Sequence, residues 1–88
     1  MTITEQRIRS ILSRITGLEA DISANTNLYR DLGLGSVYAL QLMTELELEF
    51  QVAVPDEDFV EAASISKLAA MIDRIQARPR PAALQPDA

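Results

Sequence analysis

The sequence contains no cysteine and no histidine. The first absence removes disulfides, thiolate metal sites and a thiol nucleophile, and the second removes the commonest general base and metal ligand. Ser-His-Asp and Cys-His catalysis therefore cannot be assembled from these residues. Positive charge is also scarce, with eight Lys and Arg against thirteen Asp and Glu, a net charge of −5 and a pI near 4.5. Nucleic-acid binding draws its affinity from clustered bases, so this balance argues against it and favours basic partner surfaces. No apolar run approaches the roughly 20 residues that cross a bilayer, and the N-terminus shows no charged segment followed by an apolar stretch. These absences lead to the expectation of a soluble, cytoplasmic protein with no metal site.

What is present suits one small domain. The 88 residues are 48% hydrophobic and 24% charged, enough to close one modest core but too few for a core plus a deep substrate cleft. Thr2 followed by Glu5 is a capping-box pattern, and Ile8, Ile11, Leu12 and Ile15 then recur at helical spacing until Gly17. From Leu18 to Gly35 the periodicity is lost and turn-formers accumulate, yet Ile22, Leu28, Leu32 and Leu34 stay apolar, which predicts a long loop anchored to the core. A second helix is predicted from Ser36 to about Phe50, with Ala39, Leu42, Met43, Leu46 and Phe50 on its core face and Leu40 beside it.

Pro55 stops the stretch after that helix, and a short third helix capped near Asp56 is predicted through Glu61, with Phe59 and Val60 as its apolar contacts. The last helix begins near Ser64 or Ser66 and buries Ile65, Leu68, Ala69, Ile72 and Ile75. The expected fold is all-α, a small four-helix bundle with three longer helices, one short third helix and a long first loop. Residues 1–77 form the domain, and residues 78–88, with three prolines and little to bury, read as a disordered tail. Its Arg78 and Arg80 admit either an acidic ligand or plain solvation.

A bundle without a catalytic inventory can still be a handle for chemistry done elsewhere, which requires an exposed nucleophile. Ser36 is the best placed residue, following Gly33 and Gly35 where the loop turns into a helix. An anion attached there would face unpaired N–H groups and the positive end of the helix dipole. The competing reading is that Ser36 is only an N-cap.

The run Leu28-Tyr29-Arg30-Asp31-Leu32-Gly33-Leu34-Gly35-Ser36-Val37, continuing through Leu42 to Glu45, Glu47, Glu49, Phe50 and then Val54-Pro55-Asp56, resembles the acyl carrier protein family. The resemblance spans roughly Thr4 to Ile75. It implies that Ser36, flanked by Gly35 and Val37, receives 4′-phosphopantetheine from coenzyme A through a phosphopantetheinyl transferase. The arm's thiol would then carry acyl, aminoacyl or peptidyl groups as thioesters, and the protein would be no enzyme. Implied partners are a cargo-loading ligase or acyltransferase and downstream synthase or transferase enzymes, visited by a monomer.

The sequence departs from fatty-acid carriers in having Gly35 where Asp precedes the modified serine, Val37 after it, and Tyr38 and Gln41 where acidic residues are usual. At 100° per residue Val37, Gln41, Thr44 and Leu48 form a neutral stripe away from the core face, with Glu45 and Glu49 on one side and Glu47 on the other. This stripe, with Tyr38, is the candidate docking surface, to be weighed against ordinary exposed apolar residues. Met43, Leu46 and Phe50 are either plain core or the walls of a cavity for cargo. The reading is a discrete carrier for a specialised pathway, such as polyketide, nonribosomal peptide, modified lipid or aminoacyl transfer, rather than general fatty acid biosynthesis. Its rival is a helical interaction module of the same fold with no prosthetic group.

Overall fold

A computed structural model describes residues 2–17 and 22–77. The predicted tail, residues 78–88, and the start of the first loop lie outside this set. The described residues form four helices and no strand: α1 (Ile3–Thr16), α2 (Ser36–Phe50), α3 (Asp56–Glu61) and α4 (Ile65–Ala77). The all-α bundle with a short third helix is thus present as expected.

The capping box at α1 is complete. Thr2 Oγ1 accepts from the Glu5 N–H at 3.0 Å, and Glu5 Oε1 accepts from the Thr2 N–H at 2.9 Å, satisfying two N-terminal donors. Gly17 closes the helix with a positive φ of 74°, a conformation cheap only for glycine. At α4 the cap is Ser64, whose Oγ accepts from the Lys67 N–H at 3.2 Å. The α2 helix ends less comfortably, since Gln51 adopts a φ of 55° without being glycine. Glu47 holds that turn by its carbonyl, which accepts from the Gln51 and Val52 N–H groups, and by Oε2, which accepts from the Val54 N–H at 2.9 Å.

α1 packs against α2 and α4, and α3 against α4. Ile8, Ile11 and Leu12 of α1, Leu42, Leu46 and Phe50 of α2, and Ile65, Leu68, Met71 and Ile72 of α4 make one core, joined by Phe59 from α3 and Leu28 from the loop. Met71 joins a core stripe for which the sequence spacing had singled out its neighbours, while Ile75 is only half-buried. Val60, expected as an apolar contact of α3, turns outward at 68% exposed, and Leu40, read as lying beside the core face, is 63% exposed. Each follows an inward residue, Ala39 or Phe59, by one position, and a 100° rotation carries it off the buried face.

Two ion pairs lock α1 to α2. Arg7 reaches Glu49 Oε2 at 2.7 Å, donates to the Glu49 carbonyl, and lies 4.4 Å from the centre of the Phe50 ring. Arg14 meets Glu45 at 2.8 Å, two turns further along α1 and one turn back along α2. Exposed pairs of this kind contribute about 0.2–1 kcal/mol each, so the buried leucines and isoleucines dominate. Leu46→Ala is expected to lower the unfolding free energy by about 2–5 kcal/mol, whereas Leu40→Ala changes it by less than about 0.5 kcal/mol. Urea denaturation of the two variants checks this contrast between two leucines of one helix.

Candidate functional site

The site begins with how the first loop is tied down. Leu28 is fully buried, its N–H donates to the Ala63 carbonyl at 2.7 Å, and its own carbonyl accepts from the Leu34 N–H at 3.0 Å. Asn27 initiates the turn that follows, its Oδ1 accepting from the Tyr29 N–H at 3.0 Å and the Arg30 N–H at 2.8 Å, while Asp31 Oδ2 accepts from the Asn27 N–H. Gly33, at a φ of 67°, reverses the chain after Leu32. A further bond from the Ser66 N–H to the Ala24 carbonyl fastens the loop to the start of α4. Loop bonding of this density fixes the direction in which the chain enters α2.

The entry itself corrects the simplest reading of Ser36. The N-cap of α2 is Gly35, with no side-chain capping bond, and Ser36 is the first helical residue. The helix ladder starts with the Ala39 N–H on the Gly35 carbonyl at 2.9 Å, so the N–H groups of Ser36, Val37 and Tyr38 point out of the helix end without intrahelical acceptors. No acidic side chain sits in this first turn. Ser36 is exposed, and no hydrogen bond ties its Oγ to any described residue. Gly35 has an ordinary negative φ, and a Cβ there would meet nothing within 4 Å, so its contribution is a bare backbone and not a steric necessity.

Beside Ser36 lies an apolar cavity of about 570 Å³. Tyr29 and Leu34 of the loop form one wall, Ala39, Leu40 and Met43 of α2 another, and Asp56, Phe59 and Val60 of α3 the third. Burial pushes the Tyr29 phenol above its ordinary pKa of 10.0, in keeping with its place in this wall. Met43 therefore borders a cavity, but Leu46 and Phe50 do not, being core residues. The outward turn of Leu40 and Val60 now has a consequence, since both edge the cavity mouth together with Ser36. Tyr29, Leu34, Asp56 and Val60 were not singled out as site residues from the sequence. The available signal was the apolar character of α2 and α3 beyond their core faces.

The stripe read as a candidate docking surface is exposed, with Val37 75%, Tyr38 45% and Leu48 70% accessible and Gln41 and Thr44 also exposed. Thr44 Oγ1 bonds back to the Leu40 carbonyl at 3.0 Å, which occupies its hydroxyl. The flanking glutamates behave differently from free surface charges. Glu45 and Glu49 are paired with α1 arginines, and Glu47 holds the turn after α2. Among the described residues no cluster of three or more metal-ligating side chains occurs, and no helix is long and apolar enough to cross a membrane.

Comparison with known proteins places the chain in context. Residues 6–72 match the family described as the phosphopantetheine attachment site. The chain is 32% identical over 73 residues to an acyl carrier protein of Akkermansia muciniphila, covering 82% of this chain and 91% of that protein. It is 36% identical over 64 residues to the non-reducing polyketide synthase dbaI of Emericella nidulans, covering 72% of this chain but 2% of that much longer protein. A solved structure described as an acyl carrier protein from Mycobacterium tuberculosis superposes with a TM-score of 0.74 at 31% identity, covering 81% of this chain and 96% of that one.

Asn27→Ala removes both acceptor bonds at the turn and is expected to cost about 1 kcal/mol. Amide exchange at Tyr29 and Arg30 should accelerate accordingly. Unchanged exchange at both would show that Leu28 burial alone holds the loop.

Proposed function

The chain belongs to the acyl carrier protein family, whose members are carriers and not enzymes and hold 4′-phosphopantetheine covalently, and from that premise we propose that Ser36 is the attachment residue of a carrier for a specialised biosynthetic pathway. The observation that supports this most directly is the Ser36 hydroxyl itself: exposed, unbonded among the described residues, at the first position of α2 and on the mouth of an apolar cavity. The prosthetic group fits there. A phosphodiester on Ser36 Oγ would lie against three unpaired N–H groups at the positive end of a 15-residue helix, with no first-turn carboxylate to repel it.

When bound, the arm supplies the thiol that a chain without cysteine lacks. In the loading step Ser36 Oγ attacks the pyrophosphate of coenzyme A and displaces its adenosine bisphosphate. The Ser36 proton passes to a base that the phosphopantetheinyl transferase supplies. The cavity walls formed by Leu34, Ala39, Leu40, Met43 and Phe59 offer an acyl cargo an apolar refuge from water.

The specialised role is supported by Gly35, Val37, Tyr38 and Gln41 replacing residue types usual in fatty-acid carriers. With them goes the proposed docking surface for the transferase, a cargo-loading ligase or acyltransferase and a downstream synthase or transferase: Val37, Tyr38, Gln41, Thr44 and Leu48, edged by Glu45. A protein that visits several enzymes in turn is best served as a cytoplasmic monomer.

Incubation with coenzyme A and a broad-specificity transferase should add one phosphopantetheine by intact mass, and Ser36→Ala should abolish the gain. No gain with several transferases would favour an interaction module of carrier fold instead. Leu48→Glu should lower transfer efficiency with a cognate partner by about tenfold while leaving the thermal melt unchanged; normal transfer kinetics would remove Leu48 from the docking surface.

A further inference from the structure

The negative charge of this chain is unevenly distributed. α3 has the sequence DEDFVE, four carboxylates with no base, which leaves nine of the thirteen carboxylates elsewhere against eight Lys and Arg. Outside α3 the chain is therefore almost neutral. Of the α2 glutamates, Glu45 is ion-paired with Arg14 and Glu49 with Arg7, while Glu47 keeps its charge but turns its carboxylate to the Val54 N–H at the far end of α2 from Ser36.

Within α3 the four carboxylates are not equivalent. Asp58 and Glu61 border a groove shared with Lys67 and Arg74 of α4. Asp56 and Glu57 are exposed, and neither takes part in an ion pair with any described residue. Asp56 also borders the cavity mouth, together with Ser36, Leu40 and Val60. The cavity that Ser36 lines thus carries the exposed apolar Leu40 and Val60 and the unpaired Asp56, with exposed Val37 next to Ser36 in sequence and unpaired Glu57 next to Asp56.

We infer that enzymes acting at Ser36 present an apolar patch to Val37, Leu40 and Val60 and Lys or Arg side chains to Asp56 and Glu57, so that α3 and not α2 supplies the charge that orients docking. This rests on Ser36 being the attachment residue. A basic partner group approaching Glu49 meets a carboxylate whose charge Arg7 already offsets, and Arg7 is held in place by the Glu49 carbonyl and the Phe50 ring, so a second cation there gains little. At Asp56 and Glu57 nothing has to be displaced. Burial of the adjoining apolar pad excludes water from the new pair and strengthens it, while its long-range field speeds encounter in a salt-dependent way.

The test is steady-state transfer from coenzyme A by a broad-specificity phosphopantetheinyl transferase, with intact-mass readout, on the wild-type protein, Asp56→Asn/Glu57→Gln and Glu49→Gln. The double variant is expected to lose about tenfold in kcat/KM, mainly through KM, and to lose most of the salt dependence seen with the wild type. Glu49→Gln is expected to stay within about twofold, since Arg7 keeps its contacts with Phe50 and the Glu49 carbonyl. Charge reversal by Asp56→Lys/Glu57→Lys should deepen the loss, and thermal melts confirm that each variant is folded. If the double variant lowers the melting temperature but transfers normally, the two carboxylates serve only the α3 dipole and the inference fails. It fails equally if wild-type transfer is insensitive to salt, a result that needs no variant to fold. Absence of transfer to the wild type overturns the attachment reading itself, which separates the two failures.

Discussion

Leu28 is the one fully buried side chain that the described part of the first loop contributes to the core, and the geometry around Ser36 follows from it. With its side chain in the core and its N–H on the Ala63 carbonyl, the loop is joined to the link between α3 and α4. Its carbonyl then receives the Leu34 N–H across the reversal at Gly33, so the chain arrives at Gly35 in a set direction. A loop free to move would pay ordering entropy each time a partner needed the serine in place. Here much of that ordering is already done on folding, and the same anchoring leaves Tyr29 and Leu34 as a wall of the cavity next to Ser36.

The division of polar labour between α2 and α3 follows from the packing of α1. Because α1 lies along α2, its Arg7 and Arg14 fall opposite Glu49 and Glu45, and these carboxylates are consumed in joining the two helices. α3 packs against α4 and has no such arginine-bearing neighbour in ion-pair contact among the described residues. Its first-turn Asp56, Glu57 and Asp58 favour the short helix through the dipole, which offsets the weak cooperativity of six residues. Of these, Asp56 leaves an unpaired charge on the cavity that Ser36 lines. Stability of a marginal helix and the charge proposed to orient docking are two consequences of one acidic segment.

A carrier needs little chemistry of its own, and this chain shows how little. Ser36 contributes an accessible hydroxyl, the start of α2 contributes three unpaired N–H groups, and the neighbouring side chains contribute an apolar recess of about 570 Å³. The reactive thiol belongs to the prosthetic group, so the absence of cysteine and histidine is no handicap.

The helix periods, the capping box at Thr2, the break at Pro55 and the turn-rich run before Ser36 are local signals, and the sequence was sufficient for them because hydrogen bonding and apolar spacing act over a few residues. The family pattern around Ser36 was legible for the same reason, being contiguous. The outward direction of Leu40 and Val60, the cavity they edge and the absorption of Glu45 and Glu49 into ion pairs were not legible. Each depends on residues distant in sequence meeting only after the helices pack, the two ion pairs joining positions 31 and 42 residues apart. Whether a glutamate on α2 is a surface charge or half of a helix-to-helix bond is decided by what lies opposite, and only the tertiary structure determines that.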